Sequence, residues 1–254
     1  MSSWQQAETF SARWQRAVEA RPNEVFLVFE APDGQVSEWT YSSFDKLVGR
    51  VAHNLTEHGV HLGSAIHLAL ANSPAFVAVW IAAIRLGAWI VPSDPFGAAP
   101  ELAEHMLRTS PVVGVCAQAR REEYFKAQPS MPVIAVDESD VELAIFGREA
   151  FSSWPQVGLT DRAAVMFTSG TTGRPKGVVI SQANYSFAGK TMSEAAGLQK
   201  QHRQLVVLPM FHANAQYYSF ASAIWAGASV ALMHTFSASQ FLTQAARHRA
   251  THGS

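Results

Sequence analysis

Val165-Met-Phe-Thr-Ser-Gly-Thr-Thr-Gly-Arg-Pro-Lys-Gly-Val178 is the stretch on which the reading of this chain turns. Between two apolar runs, residues 168–177 hold three glycines, four hydroxyl side chains (Thr168, Ser169, Thr171 and Thr172), Arg174 and Lys176. Glycines let successive backbone N–H groups converge on one point, and such a nest binds anions. The hydroxyls add short donors and the lysine adds charge, so the ligand this composition suits is a polyphosphate. The flanking runs, Ala163 to Thr168 and Gly177 to Ile180, read as strands, which makes the segment a connection between two strands. A Walker A loop requires G-x-x-x-x-G-K-[ST] ahead of a helix. With Lys176 in the lysine position, Pro175 stands where the second glycine is needed and Gly177 where the metal-binding hydroxyl is needed. The common nucleoside-triphosphatase loop is thereby excluded. Backbone amides and threonines, rather than a helix dipole, are left to hold the phosphates.

Upstream of the hairpin, strand and helix alternate. Ala65 to Leu70 reads as a strand, Ser73-Pro74 as an N-cap with proline at the first helical position, and Gly87 as the stop of the helix they open. Strands Ala88 to Val91, Val112 to Cys116 and Val133 to Val136 follow, separated by helices around Glu101 to Thr109 and Arg120 to Ala127. Such β-α-β-α-β order predicts an α/β fold with doubly wound, mostly parallel sheets and helices on both faces. Earlier, Phe10, Trp14 and Val18 share one face of a helix over residues 7–21, and Glu24 to Glu30 and Val36 to Tyr41 form a hairpin around Pro32-Asp-Gly34. Ser42 with Asp45 gives a capping-box signature for a helix carrying Phe44, Leu47, Val51 and Leu55 and ending at Gly59. Beyond the hairpin, Ser181 caps a helix to Gly197, and strand Gln204 to Leu208 precedes Pro209-Met-Phe-His212. A helix over Ala213 to Ala226, a strand over Ser229 to Met233 and a Ser237–Gln240 capping box opening a helix through His248 complete the pattern. We therefore expect two Rossmann-like lobes: residues 60–136 in the first, residues 1–59 and 162–254 in the second, and 137–161 as a connector.

Composition narrows the partners. With 254 residues, 48% apolar and 15% charged, the chain suits a well-cored globular protein, and a net charge of −1 offers no electrostatic footprint for nucleic acid or an anionic membrane. The longest apolar run, about Ala75 to Ile84, is too short to span a bilayer. The N-terminal residues lack the basic and apolar regions of a signal peptide, and the single cysteine, Cys116, permits no internal disulfide. A cytoplasmic protein is expected. Cys116, set among Val112-Val-Gly-Val, reads as a small buried hydrophobe. His53, His58, His61 and His67 have no carboxylate or cysteine to complete a metal set; they read as solvated, and no metal ligand is assigned.

Thr168-Ser-Gly-Thr-Thr-Gly-Arg-Pro-Lys-Gly177 resembles the signature loop of the adenylate-forming enzymes, the superfamily of acyl-CoA synthetases, firefly luciferases and peptide-synthetase adenylation domains. Trp39-Thr-Tyr-Ser-Ser-Phe44, Leu86-Gly-Ala-Trp-Ile-Val-Pro-Ser-Asp-Pro95 and Leu208-Pro-Met-Phe-His212, with Gly227-Ala228 downstream, resemble further motifs of that family and fall in its order. The resemblance implies that a carboxylate and ATP give an acyl-adenylate and pyrophosphate, and that a thiol, here coenzyme A, then takes the acyl group. It assigns Thr168, Ser169, Gly170, Thr171, Thr172, Gly173 and Lys176 to the β- and γ-phosphates, with Mg2+ bound alongside ATP. It places Phe211, His212 and Tyr217 at the carboxylate and acyl pocket, on a wall that also carries Tyr218, Phe220 and Ala221. Without the resemblance these aromatics read equally well as core. Asp94-Pro95 reads as a structural turn. Phe211-His-Ala-Asn-Ala-Gln-Tyr-Tyr218 also has some likeness to bacterial acyl- and carnitine-type CoA ligases.

Members of the family continue past the point where this sequence stops. They carry a tyrosine–glycine–threonine–glutamate motif for Mg2+, an aspartate for the ribose and a mobile C-terminal domain with the adenylating lysine. The expectation is thus an incomplete, N-terminal AMP-binding domain of an acyl-CoA synthetase, inactive by itself, with no residue assigned a catalytic role. A second chain carrying the remaining half would complete a split ligase. The competing expectation, from a different class, is a degenerate non-catalytic protein that binds nucleotide or a partner through an exposed sheet edge.

Overall fold

Residues 8–168 and 175–253 are described by the computed structural model. Their order is α1 (Phe10–Ala20), β1 (Val25–Glu30), β2 (Val36–Thr40), α2 (Tyr41–Glu57), β3 (Ala65–Ala69), α3 (Pro74–Leu86), β4 (Trp89–Pro92), α4 (Ala99–Thr109), β5 (Val113–Ala117), α5 (Arg121–Ala127) and β6 (Val133–Val136). Then come β7 (Arg162–Thr168), β8 (Lys176–Ser181), α6 (Gln182–Ala195), β9 (Arg203–Val206), a π-helix (Ala215–Ala221), α7 (Ser222–Ala226), β10 (Ser229–Met233), α8 (Phe241–Arg247) and β11 (His252–Gly253). The chain divides into two compact units, Leu47–Ser181 and Met1–Lys46 with Gln182–Ser254.

The unit Leu47–Ser181 is built on a six-stranded sheet in the order β6-β5-β3-β4-β7-β8, parallel except for the edge strand β8. The interior strands β3, β4 and β5 are apolar runs because both faces are covered, as in doubly wound sheets. Every residue of α3 is buried, which explains why that helix is apolar all round except for Arg85 in its last turn. Ser73 caps it, accepting from the Phe76 N–H, and Gly87 ends it at φ 65°. A Cβ on Gly87 would also lie 2.2 Å from Leu62 Cδ1, so only glycine serves there.

The unit formed by both ends of the chain holds a five-stranded sheet, β11-β9-β10-β1-β2, again parallel but for its edge strand β2. Trp14, Phe26, Tyr41 and Phe44 are fully buried together, with Trp14 and Phe26 ring centroids 4.8 Å apart. The Tyr41 hydroxyl donates to the Ala228 carbonyl at 2.7 Å, so two of the family-like motifs meet inside this unit.

Several expectations need correction. The sheet pairing takes residues 162–181 out of the lobe expected over 162–254: the apolar run of β7 pairs with β4 at Ile90↔Ala164, and β8 follows it as a hairpin. Residues 137–161 lie against the Leu47–Ser181 unit, where Arg85 stacks over Trp154 at 3.6 Å and Phe151 N–H donates to Gly49 O at 2.9 Å. Thr40, not Ser42, caps α2 by accepting from Ser43 N–H at 3.1 Å, because Asp45 is taken by the Trp14 indole N–H at 2.7 Å. No side-chain cap forms at α8; Ser237 meets Ser239 instead. The helix expected over Ala213 to Ala226 begins as a π-helix. His67 is not solvated: it lies on the central strand β3, covered on both faces, and is fully buried. Cys116 is buried as expected, and burial pushes its thiol up to about 12.

Candidate functional site

The hairpin β7–β8 pairs in register from Ala164↔Ile180 to Thr168↔Lys176, so Thr168 and Lys176 stand opposite each other at the end where the two strands are joined. Both are exposed, and the Thr168 Oγ1 lies 3.5 Å from the Lys176 carbonyl. Because β7 runs parallel to β3, β4 and β5, this end lies on the carboxyl edge of the sheet, where open α/β folds bind ligands. Ser169, Gly170, Thr171, Thr172 and Gly173, with Arg174, lie outside the described residues. Within the hairpin, Gly177 faces Phe167, and a Cβ on it would sit 3.1 Å from Val165 Cγ1 and 3.4 Å from Phe167 Cε1. The missing side chain leaves room for the Phe167 ring.

Behind the hairpin runs a buried polar chain that no sequence motif announces. Tyr124 Oη and His67 Nδ1 are hydrogen-bonded at 2.6 Å, His67 Nε2 and Ser93 Oγ at 3.0 Å, and Ser93 Oγ and His105 Nδ1 at 2.8 Å. Burial, with the neighbouring His105, drives the His67 imidazole down to about 3, and burial likewise lowers His105. Both rings are neutral at physiological pH, so the chain positions groups rather than carrying charge. His105 then stacks flat on Phe167, 4.0 Å between centroids and 9° between planes. These residues are far apart in sequence, and only strand order joins them.

The second group of assigned residues belongs to the other unit and follows the carboxyl end of β9. Phe211 is half-buried and His212 exposed, their ring centroids 4.1 Å apart, and the His212 N–H donates to Pro209 O at 3.1 Å. Tyr217 packs edge-on to Tyr185 at 5.0 Å, and burial raises its phenol well above the ordinary range. Phe220 and Ala221 are fully buried and so are core residues, whereas Tyr218 is exposed. The π-helix starts three residues after His212. Its carbonyls are satisfied from the side: Ser222 Oγ and Gln204 Nε2 donate to Tyr218 O, at 2.6 and 3.3 Å. Gln216, fully buried, donates to Met210 O at 2.6 Å and accepts from the Tyr185 hydroxyl, fixing the turn that carries Phe211 and His212. Widened turns of this kind recur at functional sites. Thus Thr168 and Lys176 are brought together in one unit, and Phe211, His212 and Tyr217 are gathered along one short segment of the other.

Among the described residues, no group of three His, Cys, Asp or Glu side chains is placed to hold a metal ion, and no helix is long and apolar enough to cross a membrane.

Known proteins resemble this chain in sequence and fold. The crotonobetaine/carnitine–CoA ligase of Citrobacter koseri is 29% identical over 259 residues, covering 94% of this chain and 49% of the ligase. That of Salmonella paratyphi A is 28% identical over 253 residues, with the same coverage of 94% and 49%. The chain therefore spans about half the length of the relatives it matches. Among solved structures, the anthranilate–CoA ligase AuaEII in complex with anthranoyl-AMP superposes with a TM-score of 0.89 at 19% identity, covering 100% of this chain and 51% of that one. ATP-bound MatB from Rhodopseudomonas palustris gives 0.83 at 20% identity, covering 94% and 48%. At such identities the likeness speaks for the fold: the first half of these mixed α/β enzymes, with parallel sheets. The family described as AMP-binding enzyme matches residues 14–254, nearly the whole chain and every motif described above, and the chain belongs to that family.

Proposed function

We propose that this chain is the phosphate-holding half of an ATP-dependent acid–CoA ligase. The observation that carries the reading is the hairpin closed at Thr168↔Lys176, on the carboxyl edge of its sheet, in a chain of the AMP-binding family. A carboxylate oxygen of the substrate attacks the α-phosphorus of ATP; the bond from that phosphorus to the oxygen bridging to the β-phosphate breaks, and pyrophosphate leaves. Lys176 and Thr168, with Ser169, Gly170, Thr171, Thr172 and Gly173, hold the charge that develops on the pyrophosphate, which is electrostatic stabilisation of the transition state. Phe211, His212 and Tyr217 seat the carboxylate and its acyl group; the thiol of coenzyme A then attacks the acyl carbon of the acyl-adenylate, losing its proton, and the bond from that carbon to the phosphate oxygen breaks as AMP leaves. Mg2+ accompanying ATP would neutralise part of the phosphate charge, beside the charge that Lys176 supplies. A hairpin mouth offering an exposed lysine and an exposed hydroxyl fits such a polyphosphate.

The test is ATP–pyrophosphate exchange, measured on the 254-residue chain alone and again with the remaining half of a ligase supplied as a second polypeptide. No exchange alone and exchange with both halves is expected. Exchange by the chain alone would show that the second half is dispensable for adenylation. In calorimetry with Mg·ATP, Lys176→Ala is expected to weaken binding by about tenfold or more, the worth of one charge-assisted hydrogen bond. Undiminished binding would remove the hairpin from the phosphates.

A further inference from the structure

Helix α4 grips both arms of the phosphate hairpin. On the entering arm, Phe167 lies flat against His105 at 4.0 Å, and the Arg108 guanidinium sits 4.8 Å from the same ring centroid. On the leaving arm, Arg108 Nη1 donates to the Pro175 carbonyl at 2.6 Å, one residue before Lys176. Glu104, one turn earlier on the helix, is 3.8 Å from the same Nη1 and steadies the guanidinium. Arg108 stands in the last turn of α4, where its charge also suits the helix dipole. His105 is held from behind by Ser93, His67 and Tyr124, so the grip is anchored in the interior of the sheet.

We infer that Arg108, backed by His105, is a positioning residue for the phosphate hairpin: without touching the nucleotide, it fixes the separation of the arms at Phe167 and Pro175 and thereby the placement of Thr168 and Lys176 on the polyphosphate. The inference rests on the reading of the hairpin as a phosphate site. Phe167 pairs with Gly177, whereas Pro175 lies beyond Thr168↔Lys176, the last backbone pair among the described residues of the hairpin. A charge-assisted bond to one arm and a ring stack on the other constrain the hairpin where that pairing ends.

The test uses the full chain and compares wild type, Arg108→Ala, Arg108→Lys and, as the control for the underlying reading, Lys176→Ala. Calorimetry with Mg·ATP and with Mg·pyrophosphate gives affinity; hydrogen–deuterium exchange, which needs no ligand, follows the amides of Thr168 and of Lys176 to Val178. Arg108→Ala is expected to weaken both ligands roughly tenfold, as small misplacements of a binding group do. The loss should persist at about 0.5 M salt, where the direct field of an exposed charge is screened. Exchange should speed several-fold at the hairpin amides and stay unchanged in β3 and β5, and Arg108→Lys should recover most of both losses. Binding within twofold of wild type, a loss that vanishes in high salt, or exchange that rises throughout the unit would each overturn the positioning role. If Lys176→Ala binds as well as wild type, the phosphate reading itself fails; the exchange data still decide whether Arg108 holds the hairpin.

Discussion

Glu30, at the carboxyl end of β1, is a carboxylate with only 8% of its surface exposed. It meets His248 Nε2 at 2.5 Å, Arg247 Nη1 at 3.0 Å and Gln244 Nε2 at 3.3 Å, three groups from α8 and the residue after it. Burial alone would raise this carboxyl, but the bonds from His248 and Gln244 and the charge of Arg247 outweigh it, and the group lies below the ordinary carboxylate value of 4.5. A carboxyl lowered on folding stabilises the fold above its unfolded pKa and loses that contribution as pH falls through the folded one. Glu30→Gln should therefore cost about 2 kcal/mol at pH 7, the worth of hydrogen bonds to a charged group. The difference between variant and wild type should shrink toward zero in urea titrations taken below pH 4.5. A penalty independent of pH would assign the loss to packing. Nothing near Glu30 in the sequence announces this cluster, since its partners lie more than two hundred residues away. Cys116 was legible because its immediate neighbours are apolar. His67 was not, because a histidine's burial depends on which strand is central.

At the scale of elements, α6 and the π-helix come into close contact at Gly189, where a Cβ would stand 2.7 Å from the Ala221 carbonyl oxygen. The obstacle is backbone and cannot rotate away. Gly189→Ala is expected to destabilise the unit by roughly 1–3 kcal/mol, as overpacking does. Its signature would be a shift in tyrosine fluorescence or ring resonances of Tyr185 and Tyr217, which share that interface; unchanged stability would mean the two helices separate at little cost. Most elements were legible from the chain itself. Ser73-Pro74 and Gly87 bound α3 as their chemistry dictates, and the expected strand Val133 to Val136 is β6. The Ser42–Asp45 capping box failed for a reason outside local sequence: Trp14 competes for Asp45 from another helix. The widened helix after His212 was illegible because it depends on Gln216 reaching back to Met210 and Tyr185 reaching in from α6. The hairpin itself was readable as strand–loop–strand, while the α4 grip behind it was not. No periodicity in Glu101 to Thr109 distinguishes an arginine that holds a distant carbonyl from one that is merely solvated.

At the scale of the molecule, residues 47–181 are contiguous and carry a complete six-stranded sheet, whereas the other unit needs both ends of the chain. A polypeptide of residues 47–181 alone is expected to unfold cooperatively in urea, with far-UV dichroism and amide protection coincident. A broad, non-coincident transition would show that it depends on the rest of the chain. Strand alternation was enough to foresee doubly wound sheets. It did not place β7 beside β4, because which strands neighbour is decided by long-range packing of apolar faces. The same division has a consequence for biosynthesis. Strand β1 pairs with β10 at Leu27↔Val230, so on the ribosome the first hairpin must wait for some two hundred further residues to be translated. At elongation rates of about 5–20 residues per second that wait is roughly ten to forty seconds. Throughout it, the edge of β1 that later takes β10 has no strand partner, and nascent chains stalled before Val230 should be the form that ribosome-associated chaperones hold longest.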